Sequence, residues 1–305
     1  SDYAVGFMWG TTGVMFNKAF VKKEEAETWG ILWDPRYEGR ILMKDAVRDV
    51  YGSLMMYIRQ DEIKSGRATR EHVMNDASDA SLKLFEDTML QAKKNFAGWE
   101  VDFGKERMIQ GKAWANITWS GDAMWALDEV GDEIELDYVV PVEGSNVWFD
   151  GWVIPKYAKN VKAANWFINF MCTSENALRN MDAIGYVSVI GTPEVLEAKI
   201  DDSLDETIDL SYFFGEYADS VKVNAIQYPD AKVIERCALM HDAGNRTEAM
   251  LDMWSRIKGD SLHTTTLIII GIVVALIIAF AAVRASGKNR KAKRKANARK
   301  TSSRH

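Results

Sequence analysis

The stretch from Ala115 to Asn160, ANITWSGDAMWALDEVGDEIELDYVVPVEGSNVWFDGWVIPKYAKN, restricts the fold more than any other. A short apolar run ends at Trp119, and Ser120-Gly121 turns the chain into a helix beginning near Asp122, with Ser120 placed to cap it. A second strand over Leu136–Pro141 follows, then a Gly144-Ser145-Asn146 loop, Trp148-Phe149-Asp150, and a third apolar run, Trp152–Pro155. Strand–helix–strand with aromatic and acidic residues at the strand ends is how an open α/β sheet presents a ligand crevice. Two indoles and a carboxylate suit a small cation, because the ring faces attract it and the carboxylate neutralises it. Asp150 is expected to be the charge that matters most, in a partly dehydrated cleft where the third strand begins.

The remaining composition is that of a globular chain: 305 residues, 47% hydrophobic and 27% charged, enough for one large domain or two ordinary ones. Eleven tryptophans exceed average usage, so most are core or turn packing and none is evidence of binding alone. The formal charge of −6 hides a split. Residues Arg284–His305 carry ten Lys/Arg and no carboxylate, leaving a body with 28 basic against 44 acidic residues, a net of −16. Such a body repels nucleic acid, so none is expected as a partner. A generic soluble acidic surface accounts for this sign, with steering of cationic ligands the second reading. Cys172 and Cys237 belong to no CxxC or CxxH pattern, so no disulfide framework or metal site is expected.

Leu267–Val283 (LIIIGIVVALIIAFAAV) is uncharged and almost wholly apolar. Taken from Leu262 it reaches 22 residues, which as a helix is about 33 Å, enough to cross a bilayer. The sequence therefore divides into an ectodomain over 1–260, a transmembrane helix over 262–283 and a basic tail over 284–305. The positive-inside rule puts the tail in the cytoplasm and the acidic body outside. Topology or anionic lipid beside the span explains the tail better than nucleic acid does.

Tyr3–Asn17 reads as two short strands broken by Gly10-Thr11-Thr12-Gly13, with no phosphate-loop spacing. No signal peptide pattern opens the chain, which for a body outside the membrane points to an incomplete N-terminus. Lys18–Trp33 reads as an amphipathic helix, Arg40–Lys44 as a strand, and Val50–Gln60 as a helix opened by Asp45-Ala46-Val47-Arg48-Asp49. Asp49 is either a partner of the helix dipole or a ligand group. Arg70–Phe96 is a long helical region, and helices are expected at Lys105–Gln110, Asn160–Cys172, Ser174–Met181, Thr192–Asp209 and Arg246–Ile257.

Several segments together resemble a known family. WGTTGVMFN, TWGILWDPRYEGRILM, RDVYG, WSGDA, VVPVEGSNVWFDGWVIPKYAKN, AANWFINFM, IGY and YPDAKVIE follow the order and spacing of the extracellular spermidine/putrescine-binding proteins of polyamine ABC importers. The resemblance covers Tyr3 to about Lys258 and implies an α/β, two-lobed periplasmic-binding-protein-like fold of type II with a hinge and a cleft. In that family a polyamine lies between aromatic side chains while carboxylates hold its ammonium groups. Position by position, the ligand role falls on Trp119, Trp148, Asp150 and Asp49, with Asp45 and Trp9 as further candidates. Asp49 stands for a family glutamate. Another acidic position of the family is Ala46 here, and a late polar one is Met240. Family members also carry roughly a hundred residues ahead of WGTTG, within the size of half a two-lobed protein, so the first lobe is expected to be incomplete.

The function implied is a membrane-anchored solute-binding component that takes up spermidine or putrescine outside the cell and delivers it to an ABC permease and its ATPase. Membrane lipid would be met through the C-terminal helix. A sensor or scaffold with a degenerate cleft, or a receptor for another small organic cation, is the alternative. An enzyme is not expected: there is no Ser-His-Asp order and no HExxH, and His72 and His241 lie in polar helical contexts. Neither cofactor nor metal is implied.

Overall fold

One 13-residue strand, β1 (Val5–Asn17), runs through two sheets and holds them together. Its second half pairs antiparallel with β4 (Ala115–Trp119) and β5 (Leu136–Val139). Its first half pairs antiparallel with β6 (Val147–Trp152) and with β7 (Val187–Ser188). The break expected at Gly10–Gly13 does not occur. The small residues instead let other side chains reach the backbone: a Cβ at Gly10 would lie 2.7 Å from the Trp148 ring and 2.6 Å from the Ser120 hydroxyl. The computed structural model containing these elements describes residues 3–259 and the single position Ile272.

The larger sheet has the order β3-β2-β4-β1-β5, where β2 is Ile41–Lys44 and β3 is Phe96–Glu100. Strands β2, β3 and β4 are mutually parallel, so their last residues share one edge. Alternation sorts the apolar side chains to two faces. Val14, Phe16, Ile41, Met43 and Ile117 join a core with the helices α1 (Val47–Ile58), α2 (Asp79–Ala92) and α6 (Thr247–Lys258). Met15 and Leu42 point the other way, into a second core with α3 (Ser120–Glu129). Helices on both faces of a mixed sheet, with β3, β2 and β4 parallel, make the α/β class expected from sequence. A third core, around Trp9, Val187, Leu210 and Tyr228, packs against the smaller sheet with α5 (Ser174–Ile184). Between β6 and α5, α4 (Val161–Met171) buries Ile168 yet leaves Trp166, Phe167 and Phe170 exposed.

Four local expectations are corrected. Lys18–Trp33 is not one helix but a turn, Lys23–Ala26 and a 3-10 turn over Trp29–Trp33. The Thr28 side chain accepts from Gly30 N–H, and the buried Trp29 indole donates to the Gly144 carbonyl at 2.8 Å. The region 70–96 breaks at Asp76–Ser78, where Ser78 caps α2. Only Pro193–Glu197 of Thr192–Asp209 is helical, because a stretch so acidic has little apolar face to bury. The third strand begins at Val147 rather than Trp152, so Asp150 lies within a strand.

The chain forms two compact units, residues 1–257 and 258–305. The expected span at 262–283 and tail at 284–305 lie outside the described residues. Among the described residues no helix is long and apolar enough to cross a membrane.

Candidate functional site

Beyond the C-terminal ends of the parallel strands lies a cavity of about 210 Å³ lined by Asp49, Trp119, Trp148, Phe149, Asp150, Tyr186 and Met240. The lining residues come from several elements. Trp119 is the last residue of β4, and Asp49 stands in the first turn of α1, just after β2. Crossing to the smaller sheet, β6 supplies Trp148, Phe149 and Asp150. Tyr186 follows Gly185, which caps α5 in the left-handed conformation at φ +77°. Ser120 does not cap α3 as expected; its hydroxyl accepts the Thr11 N–H at 3.2 Å and so fastens the start of α3 to β1.

The two carboxylates occupy unlike environments. Asp49 is only 8% exposed, and its Oδ1 accepts from Asn146 Nδ2 at 2.8 Å and from the Trp119 indole N–H at 3.4 Å. Burial pushes its carboxyl pKa up, and those two hydrogen bonds oppose the shift. Asp150 is exposed at the cavity rim, and partial desolvation alone raises its pKa. Asp150 is thus partly desolvated, as expected, but Asp49 is the more deeply buried of the two. The strand starts early enough to carry Asp150 out to the rim, and Asp49 is the carboxylate taken out of water.

Four aromatic side chains and Met240 make the rest of the wall. Trp148 is buried, and its ring meets Tyr186 edge-on with centroids 5.5 Å apart. Burial raises the Tyr186 hydroxyl pKa well above the tyrosine range. The cavity lining contains no lysine or arginine. It holds two carboxyl groups on an aromatic surface, an arrangement that can accept a small cation.

Two other expected residues lie elsewhere. Trp9 is 2% exposed in the core of the smaller sheet, stacked on Phe149 at 6.3 Å, and does not line the cavity. The alternation of β1 turns it inward to Leu210 and Tyr228. Asp45 accepts the Trp254 indole N–H at 2.9 Å and lines a separate depression beside Trp99 and Phe103. Ala46, between Asp45 and the first turn of α1, starts the helix without a side-chain cap, and Asp49 one turn on faces the cavity. Met240 does line the cavity, with its sulfur 3.8 Å from Asn146 Nδ2.

Reasoning from sequence missed Phe149, Tyr186 and Asn146. Phe149 lies between Trp148 and Asp150, the two residues that the resemblance singles out, and carries no motif signal of its own. Tyr186 had a usable signal in the Ile184-Gly185-Tyr186 helix ending, where a left-handed glycine reverses the chain. The Tyr186 ring rests on Gly121 so closely that a Cβ there would lie 2.3 Å from it. Gly121→Ala is therefore expected to lower stability by about 1–3 kcal/mol and to drive Tyr186 off the cavity wall. Thermal melts and a crystal structure of the variant would check both, and an unshifted Tyr186 would count against this packing.

The family described as bacterial extracellular solute-binding protein matches residues 1–203. The spermidine/putrescine-binding periplasmic protein of Escherichia coli K12 is 25% identical over 258 residues, covering 85% of this chain and 64% of the relative. The putrescine/cadaverine-binding protein of Pseudomonas aeruginosa is 24% identical over 266 residues, covering 84% and 66%. The chain thus spans less than two thirds of the length of these relatives. Among solved structures, the spermidine/putrescine ABC transporter substrate-binding protein PotD from Streptococcus pneumoniae superposes with a TM-score of 0.60 at 28% identity. That match covers 84% of this chain and 68% of that one.

Proposed function

Because this chain belongs to the bacterial extracellular solute-binding protein family, we propose that its cavity binds a spermidine- or putrescine-type polyamine outside the cell. The protein then hands the ligand unchanged to an ABC permease and its ATPase. One observation carries the reading: two carboxylates and four aromatic side chains share a cavity whose lining holds no basic residue. In this reading Trp119 and Trp148 present ring faces to ammonium groups, buried Asp49 neutralises one of them, and Asp150 meets another at the rim. Phe149 and Tyr186 enclose the methylene chain.

Calorimetric titration with putrescine and spermidine tests it. Trp148→Ala is expected to lose about 0.5–2 kcal/mol of affinity, the range for an ammonium on an indole face. Absence of heat with either amine would refute the polyamine assignment. Met240 favours a second reading, because a thioether in place of a polar ligand group suits a different small organic cation. Titration with a monovalent quaternary amine separates the two.

The anchor belongs to the same proposal. Residues 262–283 cross the membrane once and residues 284–305 lie in the cytoplasm, keeping the receptor near its permease. The full chain should stay with membranes through carbonate extraction, and recovery in the soluble fraction would count against the span.

A further inference from the structure

Behind the cavity wall lies a lysine whose place is unusual. Lys44, the last residue of β2, is wholly buried. Its Nζ stands 3.0 Å from Glu100 Oε1 and 3.5 Å from Asp122 Oδ2, and donates to the Val101 carbonyl at 2.6 Å. Glu100 ends β3 directly opposite Lys44 in the parallel register. Its other oxygen accepts the Gly104 N–H at 3.0 Å. Asp122 is also paired with Lys105 at 2.9 Å, so the cluster balances two cations against two carboxylates. The Lys44 ammonium lies 4.2 Å from the centroid of the Trp119 ring.

Burying three charges, with Lys105 partly exposed beside them, is expensive, and apolar residues of similar volume at such places are often neutral or stabilising. The three residues before Lys44 on β2, Ile41, Leu42 and Met43, are all apolar and buried. A charged end to that strand therefore calls for a reason other than core stability. Trp119 supplies it. Its ring is held by the Lys44 cation on one face and by Asp49 through the indole N–H. A ring with two such attachments has its plane set before any ligand arrives, which removes an ordering cost from binding.

We propose that Lys44 is the positioning residue for Trp119: its ammonium, clamped by Glu100, Asp122 and the Val101 carbonyl, fixes the indole so that the ring's other face forms the cavity wall. This rests on the polyamine reading for its effect on affinity but not for its effect on the ring. Lys44 itself touches no ligand. It also leaves the cation-binding face of Trp119 single, because the back face already holds a cation.

The test uses the full chain carrying the paired change Lys44→Met with Glu100→Gln, which removes one charge of each sign, keeps volume, and leaves Asp122 on Lys105. With 5-fluorotryptophan incorporated, the Trp119 fluorine resonance, identified by its loss in Trp119→Phe, is expected to shift and broaden in the empty variant. Putrescine affinity is expected to fall about tenfold, and the same paired change in a Trp119→Ala background should cost nothing further. That non-additivity distinguishes a residue acting through Trp119 from one that only holds the fold together. An unmoved fluorine resonance, or a loss that persists in full without Trp119, overturns the proposal. If the unaltered protein binds no polyamine, the polyamine reading has failed, and the fluorine resonance alone decides the role of Lys44.

Discussion

Asp49→Asn should lower polyamine affinity by about 2–5 kcal/mol, the cost of removing one partner from a desolvated, hydrogen-bonded charge pair. Asp49 is the buried carboxylate of the cavity, and the amide would still accept from Asn146 and Trp119 through its oxygen. The shape of the empty site is therefore kept while its charge is lost. The empty protein should become no less stable at neutral pH, and more stable if anything. The sign follows from linkage. A carboxyl whose folded-state pKa is raised binds protons more readily folded than unfolded, so its contribution to stability is present at low pH and is lost as pH rises through the folded value. Asn removes that loss. Ligand affinity has the opposite slope: it should decline on acidification as Asp49 becomes protonated, and the decline should be missing from the Asn variant. Titration calorimetry across pH with parallel thermal melts measures both. Normal affinity in Asp49→Asn would transfer the ligand's main counter-charge to Asp150.

Lys44→Met alone should destabilise the protein by about 3–5 kcal/mol, because breaking a buried ion pair from one side leaves a charge without compensation. Here the remaining group is Glu100, 1% exposed, whose pKa burial already pushes up against the pull of Lys44. Without Lys44 that push strengthens. The destabilisation should be greatest at neutral pH and shrink in acid, where Glu100 takes up a proton and its burial stops being costly. Adding Glu100→Gln should recover most of the loss at neutral pH. Denaturant unfolding of the three variants at neutral and acidic pH checks the pattern. A penalty independent of pH would mean that the packing of the lysine stem, rather than its charge, supports the end of β2.

Much of the frame was legible because it depends on local pattern. The apolar run ending at Trp119, the helix after it and the strand at Leu136 follow from periodicity and turn chemistry, and all three occur. The family motifs pointed to Trp119, Trp148, Asp150 and Asp49, and these four line one cavity although Asp49 and Asp150 are a hundred residues apart in the chain. Trp9 was misplaced for a reason of the same kind. A tryptophan in a Gly-Thr-rich segment has the same composition whether it faces a cleft or a core, and only pairing with β6 and β7 turned it inward.

By itself, then, the sequence determined the α/β class, the order of strands and helices around Trp119, and an acidic, aromatic chemistry for the site. Those properties arise from neighbours within a few positions of one another, where apolar period, capping and turn residues act. Tertiary structure alone decided which carboxylate is dehydrated. It put Asp49 beneath Asn146 and Trp119 and carried Asp150 to the rim, and it set Lys44 opposite Glu100 at the back of the same indole. Desolvation and ion pairing depend on what fills the space around a group, and that space is supplied by strands distant in the chain and brought together by parallel register.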